Sequence, residues 1–238
     1  MNLNSVHPGS VYSLLMLLGI VASFIFWSRL AKHDEKLLGI YAAGLAGAFL
    51  GAKLMYLLAE GWLHFGARDM WLQLMTGKSI LGALMGGYLA VELAKRFVGY
   101  RASTGDWFAL VVPAGVLIGR VGCLFQGCCL GALCEPAWYT LRDNDGFTRW
   151  PAVPLEMIFN VLALLVFLIL RKCRVLPGQH FHLYLIGYGL FRFANEFMRD
   201  TPRIIGGWSG YQIGALAVAL LGIIGFVRRA REPKGSNR

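Results

Sequence analysis

The chain has 238 residues, 57% of them hydrophobic and only 15% charged, with a net charge of +10 and a mean hydropathy of +0.56. A soluble domain of this length would not carry so much apolar surface behind so few charges, which argues against an ordinary soluble enzyme. The positive charge is distributed along the flanks of apolar segments and forms no basic face on a soluble domain, so a nucleic-acid partner is excluded as well.

Taken in chain order, residues 11–27, 37–58, 79–94, 107–122, 153–170, 181–197 and 211–227 are apolar runs. Crossing a bilayer takes about 20 such residues, with about 17 the short limit. The pattern predicts an all-α, polytopic integral membrane protein with about seven transmembrane helices, the fourth and sixth being short and interrupted by polar residues. The first ten residues hold no Lys or Arg, and no small-residue cleavage site follows, so the first run reads as a span and not as a cleaved leader. Fourteen of the 23 Lys and Arg follow spans one, three, five and seven: Arg29, Lys32, Lys36; Lys95, Arg96, Arg101; Arg171, Lys172, Arg174; and Arg228, Arg229, Arg231, Lys234, Arg238. The positive-inside rule puts that side in the cytoplasm, with the N-terminus out and the C-terminus in.

No internal repeat divides the chain, so residues 1–238 read as one membrane-embedded domain. Two longer loops fall on the outer side. Residues 60–78 are rich in aromatic and apolar side chains and fit an amphipathic helix in the interface. Residues 132–152 are polar and turn-rich, with Arg142-Asp143-Asn144-Asp145-Gly146 as a turn, and fit a small external cap. Trp62, Trp71, Trp138, Trp150 and Trp208 all fall at or beyond this outer interface, as an aromatic belt requires.

Of the other basic residues, Arg68, Lys78, Arg142, Arg149 and Arg203 lie in outward loops, whereas Lys53, Arg120, Arg192 and Arg199 lie within spans or at their outer ends, at similar depth. Charges at that depth are costly and normally line a cavity or pathway. Arg192, Glu196 and Arg199 are spaced i, i+4, i+7 and share one helical face. They read either as a self-neutralising ion pair or as an anion-binding stripe in which Glu196 orients Arg192, because a guanidinium fork matches two phosphate oxygens. Arg120 sits in G-R-V-G-C-L-F-Q-G-C-C-L-G, residues 119–131, among glycines that suit close packing or a lined cavity; snorkelling to the surface is the alternative for Arg120 and for Lys53. Glu156 can accept from Arg120 or Arg149, or favour its own helix start.

Cys123, Cys128, Cys129 and Cys134 are spaced C-x4-C-C-x4-C on the outward, oxidising side, which favours one or two disulfides. A nucleophilic thiol activated by Arg120 is the sharper alternative. A zinc site has no accompanying histidine, and neither metal nor cofactor is expected. For a general base the candidates are His7, Glu196, Glu156 or a cysteine.

Four stretches carry a resemblance: residues 119–131; P-A-V-P-L-E at 151–156; Y-G-L-F-R-F-A-N-E-F-M-R-D at 188–200; and S-G-Y-Q at 209–212. Together, and in this order, they resemble the prolipoprotein diacylglyceryl transferase family. The resemblance implies an enzyme of the bacterial cytoplasmic (inner) membrane. Such an enzyme moves diacylglyceryl from phosphatidylglycerol to the thiol of a prolipoprotein lipobox cysteine and releases glycerol phosphate. It implies catalytic roles for Arg120, Arg192 and Glu196. Substrate contacts are expected from Tyr12 and Gly131, which match the family's motif, and from Lys53, Glu156, Arg199 and Gln212. The chain departs from the family pattern at Cys123 and Cys128, which replace asparagine and glutamate, at Leu81, which replaces a histidine, and at Trp150 before Pro151. The competing reading is a non-enzymatic membrane protein that binds anionic phospholipid or a partner through the same cavity.

Overall fold

The computed structural model describes residues 8–32, 34–68 and 70–231. Each apolar run forms a helix: α1 (Pro8–Leu30), α2 (Lys36–Ala59), α4 (Ile80–Phe97), α5 (Gly105–Gln126), α6 (Ala152–Lys172), α7 (His180–Glu196) and α8 (Gly210–Arg231). A short α3 (Met70–Thr76) forms inside the loop expected to hold an interfacial helix. Among the described residues, five helices (α1, α2, α5, α6 and α8) are long and apolar enough to cross a membrane, and a sixth crossing results if α3 and α4, bent by 53° at their break, act as one. The sixth run falls short because α7 has 17 residues and spends several of them on Arg192, Asn195 and Glu196.

The bundle is apolar on its outside and holds a set of buried polar and charged groups alongside its apolar core. Leu14, Leu17, Phe49, Leu54, Phe125, Leu162 and Ile169 are exposed, whereas Arg120, Glu156, Asn160, Arg192, Asn195, Glu196 and Gln212 are buried. That inversion suits a hydrocarbon solvent, which welcomes leucine and rejects unpaired charge.

Two seams hold the helices. Gly47 and Gly51 of α2 face Gly82 and Gly86 of α4, and a Cβ on either Gly51 or Gly82 would strike the other's carbonyl oxygen. With no side chains between them the backbones approach closely, which is how helices gain van der Waals contact where lipid offers no hydrophobic drive. The second seam joins α7 to α8, while α5 packs between α1 and α6.

Among the described residues, two small ribbons depart from the all-helical pattern. Strand β1 (Leu141–Arg142) pairs antiparallel with β2 (Thr148–Arg149) in the cap loop, and β3 (Arg203–Ile205) pairs with β4 (Trp208–Ser209) ahead of α8. The last turns of α1, α4, α6 and α8 carry Arg29, Lys95, Arg96, Arg171, Lys172, Arg228, Arg229 and Arg231. Cations there also complement the negative helix ends.

Candidate functional site

At the end away from those basic turns, the C-terminal part of α5, the start of α6 and the C-terminal half of α7 meet. Glu156, in the second turn of α6, is fully buried; Arg120 Nη2 of α5 lies 2.8 Å from its Oε1 and 2.7 Å from its Oε2. Tyr188 Oη of α7 donates to the same Oε1 at 2.7 Å. A layer deeper, Asn160 Nδ2 donates to the Glu156 carbonyl and Tyr184 Oη donates to Asn160 Oδ1. Buried charge is tolerated only with such pairing, so Glu156 is the residue that lets Arg120 reside among the helices.

Four residues beyond Tyr188, Arg192 Nη2 meets Glu196 Oε2 at 2.7 Å, and Arg199 Nε approaches that oxygen at 3.8 Å. Thr201 Oγ1 donates to Glu196 Oε1 at 2.7 Å, and Ser209 Oγ at 3.4 Å. Glu196 therefore holds one arginine on each side. Ser209 and Gln212 form a reciprocal cap on α8: the Gln212 amide donates to Ser209 Oγ, and the Ser209 amide to Gln212 Oε1. Much donor capacity remains. Arg120 Nε, Arg192 Nη1, Arg199 Nε and Nη1, and Gln212 Nε2 are buried without a hydrogen-bond partner among the described residues. Each such group costs about 1–3 kcal/mol when unsatisfied, and a cluster of them calls for a specific explanation. Three guanidiniums against two carboxylates leave one net positive charge.

Gly131 joins this cluster to the cap. It bridges Arg199 in an antiparallel pair, and a Cβ there would run into the Trp150 carbonyl. Arg149 Nη1 donates to the Gly131 carbonyl at 3.3 Å, while its Nε donates to Asp143 Oδ2. The Arg149 guanidinium, helped by the Phe147 and Asp145 amides, holds the Asp143 carboxyl below the usual carboxylate range, and Asp143 in return raises Arg149.

Other expected site residues are placed differently. Lys53 Nζ donates to the carbonyls of Leu74, Met75 and Gly77, so it caps the C-terminus of α3. Leu81 is buried in the apolar core. The side chain of Tyr12 and all of His7 lie outside the described residues. The expected disulfide staple gives way to free thiols at Cys123, Cys128, Cys129, Cys134 and Cys173. The local geometry is a turn at the end of α5 that gathers three of these sulfurs. Gly127 takes the left-handed conformation (φ 63°), its amide donates to Leu124, and the Cys128 amide donates to Cys123. The Sγ atoms of Cys123, Cys128 and Cys129 consequently lie within 4.8 Å of one another.

Sequence reasoning missed Tyr188, Thr201 and Asn160. Tyr188 precedes Arg192 by four residues and so was readable as part of the same helical face. Thr201 and Asn160 depend on tertiary contacts that spacing does not encode.

The prolipoprotein diacylglyceryl transferase family model matches residues 5–228 of this sequence. The chain belongs to that family. Among similar members, one from Gloeobacter violaceus is 32% identical over 232 residues, covering 90% of this chain and 86% of its own. One from Dehalococcoides mccartyi strain BAV1 is 28% identical over 244 residues, covering 95% and 92%. One from Clostridium tetani is 28% identical over 204 residues, covering 81% of each. All three carry the name phosphatidylglycerol–prolipoprotein diacylglyceryl transferase. Family membership thus extends across both seams and the whole arginine–glutamate cluster.

Proposed function

We propose that this protein is a membrane-embedded transferase that moves diacylglyceryl from phosphatidylglycerol, or a related phospholipid, to a cysteine thiol of a prolipoprotein or another acceptor. The observation that carries this reading is the set of buried, unpartnered donors on Arg120, Arg192, Arg199 and Gln212. A phosphodiester offers the acceptor oxygens those donors lack, and its single negative charge offsets the one net positive charge of the cluster.

In the reaction, an acceptor thiolate attacks the glyceryl carbon attached to the phosphate oxygen. The C–S bond forms, the C–O bond breaks, and the electron pair leaves on glycerol phosphate. The leaving phosphomonoester gathers more charge than the bound diester. Arginines fixed in advance by Glu156 and Glu196 therefore favour the transition state over the ground state. The two carboxylates are occupied in holding those arginines, which makes them positioning groups. Proton loss rests largely on the thiol, which has a pKa of about 8.5 and ionises far more readily than a hydroxyl.

The same proposal includes seven crossings in one domain, with α7 enclosed by its neighbours, the arginine cluster at the outer face of a bacterial inner membrane, the N-terminus out and the C-terminus in. The basic last turns of α1, α4, α6 and α8 support that orientation. The burial of Leu81, which leaves no titratable group at that position, favours the second reading, an anionic-lipid-binding protein without turnover.

A variant series separates the two. The purified protein is given labelled phosphatidylglycerol and a lipobox peptide, and thioether product is counted. Arg120→Ala and Arg192→Ala are expected to lower kcat/KM by about 100-fold or more, as loss of a charge-stabilising donor does. No product from the unaltered protein, together with lipid binding that survives Arg120→Ala, would exclude the transferase.

A further inference from the structure

The three gathered thiols play no part in the transfer reaction derived above. Their placement is built into the backbone. Cys123 occupies the last full turn of α5, and the glycine-based helix stop folds the chain so that Cys128 returns over it; the amide of Cys128 reaches the Cys123 carbonyl at 3.1 Å. In this type of stop the two positions are the ones whose side chains meet. Cys129 follows with φ 61°, a left-handed conformation that a non-glycine residue adopts only when its surroundings enforce it. All three Sγ atoms end within 4.8 Å of one another. Cys134, held on Thr148 in the cap, and Cys173, beyond the far end of α6, are outside the group.

We propose that Cys123, Cys128 and Cys129 form a trithiolate site for one thiophilic d10 cation, Cu(I) or Zn(II). The donor set selects that class: three soft sulfurs with no imidazole or carboxylate among them suit Cu(I) and Zn(II) and not the hard cations. Three sulfur ligands complete a trigonal Cu(I) site and leave one position on Zn(II) for water, as in open zinc sites. A second, independent feature is the charge beside it. Arg120 Nη1 lies 3.8 Å from Cys123 Sγ. Three thiolates around Zn(II) carry one net negative charge and around Cu(I) two, and the Arg120 guanidinium lies beside them. Binding is ligand exchange without redox change: each thiol that coordinates gives up a proton, and the metal keeps its oxidation state.

The site adjoins the transfer site through Arg120, so its test reads metal binding directly and does not use activity. The full-length protein in detergent, reduced and freed of metal, is titrated with Cu(I) against bathocuproine disulfonate and, separately, with Zn(II) against a chromophoric chelator. Alkylation by a maleimide, read by mass spectrometry, then counts reactive thiols with and without metal. The expected result is one equivalent of Cu(I) or Zn(II) per chain and protection of Cys123, Cys128 and Cys129, with Cys134 and Cys173 still alkylated. Cys128→Ser and Cys129→Ser should each weaken binding by about 100-fold or more, beyond what loss of an outer-shell partner costs. Cys134→Ser and Cys173→Ser should leave it unchanged. Failure of the unaltered protein to bind either ion, protection of fewer than three of the named thiols, or a disulfide joining any two of them in protein alkylated within intact cells overturns the proposal.

Discussion

Glu156 stands where three demands meet: it neutralises Arg120, accepts from Tyr188 and anchors its own helix through Asn160. Glu156→Gln leaves a buried guanidinium without its counter-charge and should cost about 3–5 kcal/mol. Tyr188→Phe removes one bond to a charged acceptor and should cost about 1.5–3 kcal/mol. Thermal unfolding in detergent ranks the two, and equal melting points would show that the ion pair is not what stabilises this corner. Asp143 gives a prediction in pH. Its folded pKa is depressed below its unfolded value, so its contribution is complete above the ordinary carboxylate range and is lost as pH falls through the folded pKa. Exchange protection of the Asp145 and Phe147 amides, corrected for intrinsic rate, should persist through that range and vanish only beneath it. Loss of protection at mildly acidic pH would contradict this. At this scale the Arg192–Glu196 pair was legible because helical spacing alone sets it. The partner of Arg120 was not: of the two arginines open to Glu156, packing of α5 on α6 selects one, and spacing is silent about packing.

The elements follow the same division. Apolar runs located all seven long helices, because hydropathy registers wherever a helix faces lipid or core. It did not register how α3 and α4 break, which depends on Lys53 reaching across to the three carbonyls at the end of α3. The S-x-x-Q of residues 209–212 was quoted for its resemblance, yet its physical content is a helix cap; Ser209→Ala should cost about 1 kcal/mol in unfolding experiments. The α2–α4 seam makes a sharper test. Gly51→Leu drives a side chain into the Gly82 carbonyl and should cost well over 1–3 kcal/mol, the usual range of about one extra methylene or two in a packed core. Gly39, on the same helix with open space around it, should accept alanine within about 1 kcal/mol. Similar melting temperatures for the two variants would refute the glycine seam.

Across the whole molecule, the two ends differ in character. One end gathers basic last turns around a cavity of about 540 Å³, lined among others by Lys95, Arg96, Arg228 and Arg229. The other gathers the buried arginine–glutamate cluster, the thiols and the cap. The charge bias along the sequence makes this polarity readable from the residues alone, whereas the three-sulfur cluster depends on one turn geometry. The proposed orientation makes Cys173 cytoplasmic and Cys134 external. An impermeant maleimide applied to intact cells should therefore label Cys134 and spare Cys173 until the membrane is opened; the reverse pattern would invert the topology. The central claim, that the cluster grips a phosphodiester so that a thiol can displace it, is tested most directly by product stoichiometry. The unaltered protein is incubated with phosphatidylglycerol and a lipobox peptide, and both products are quantified. The account predicts one glycerol phosphate released for each thioether-linked diacylglyceryl peptide formed. Phosphatidylglycerol that binds and is recovered intact, with neither product, would contradict it.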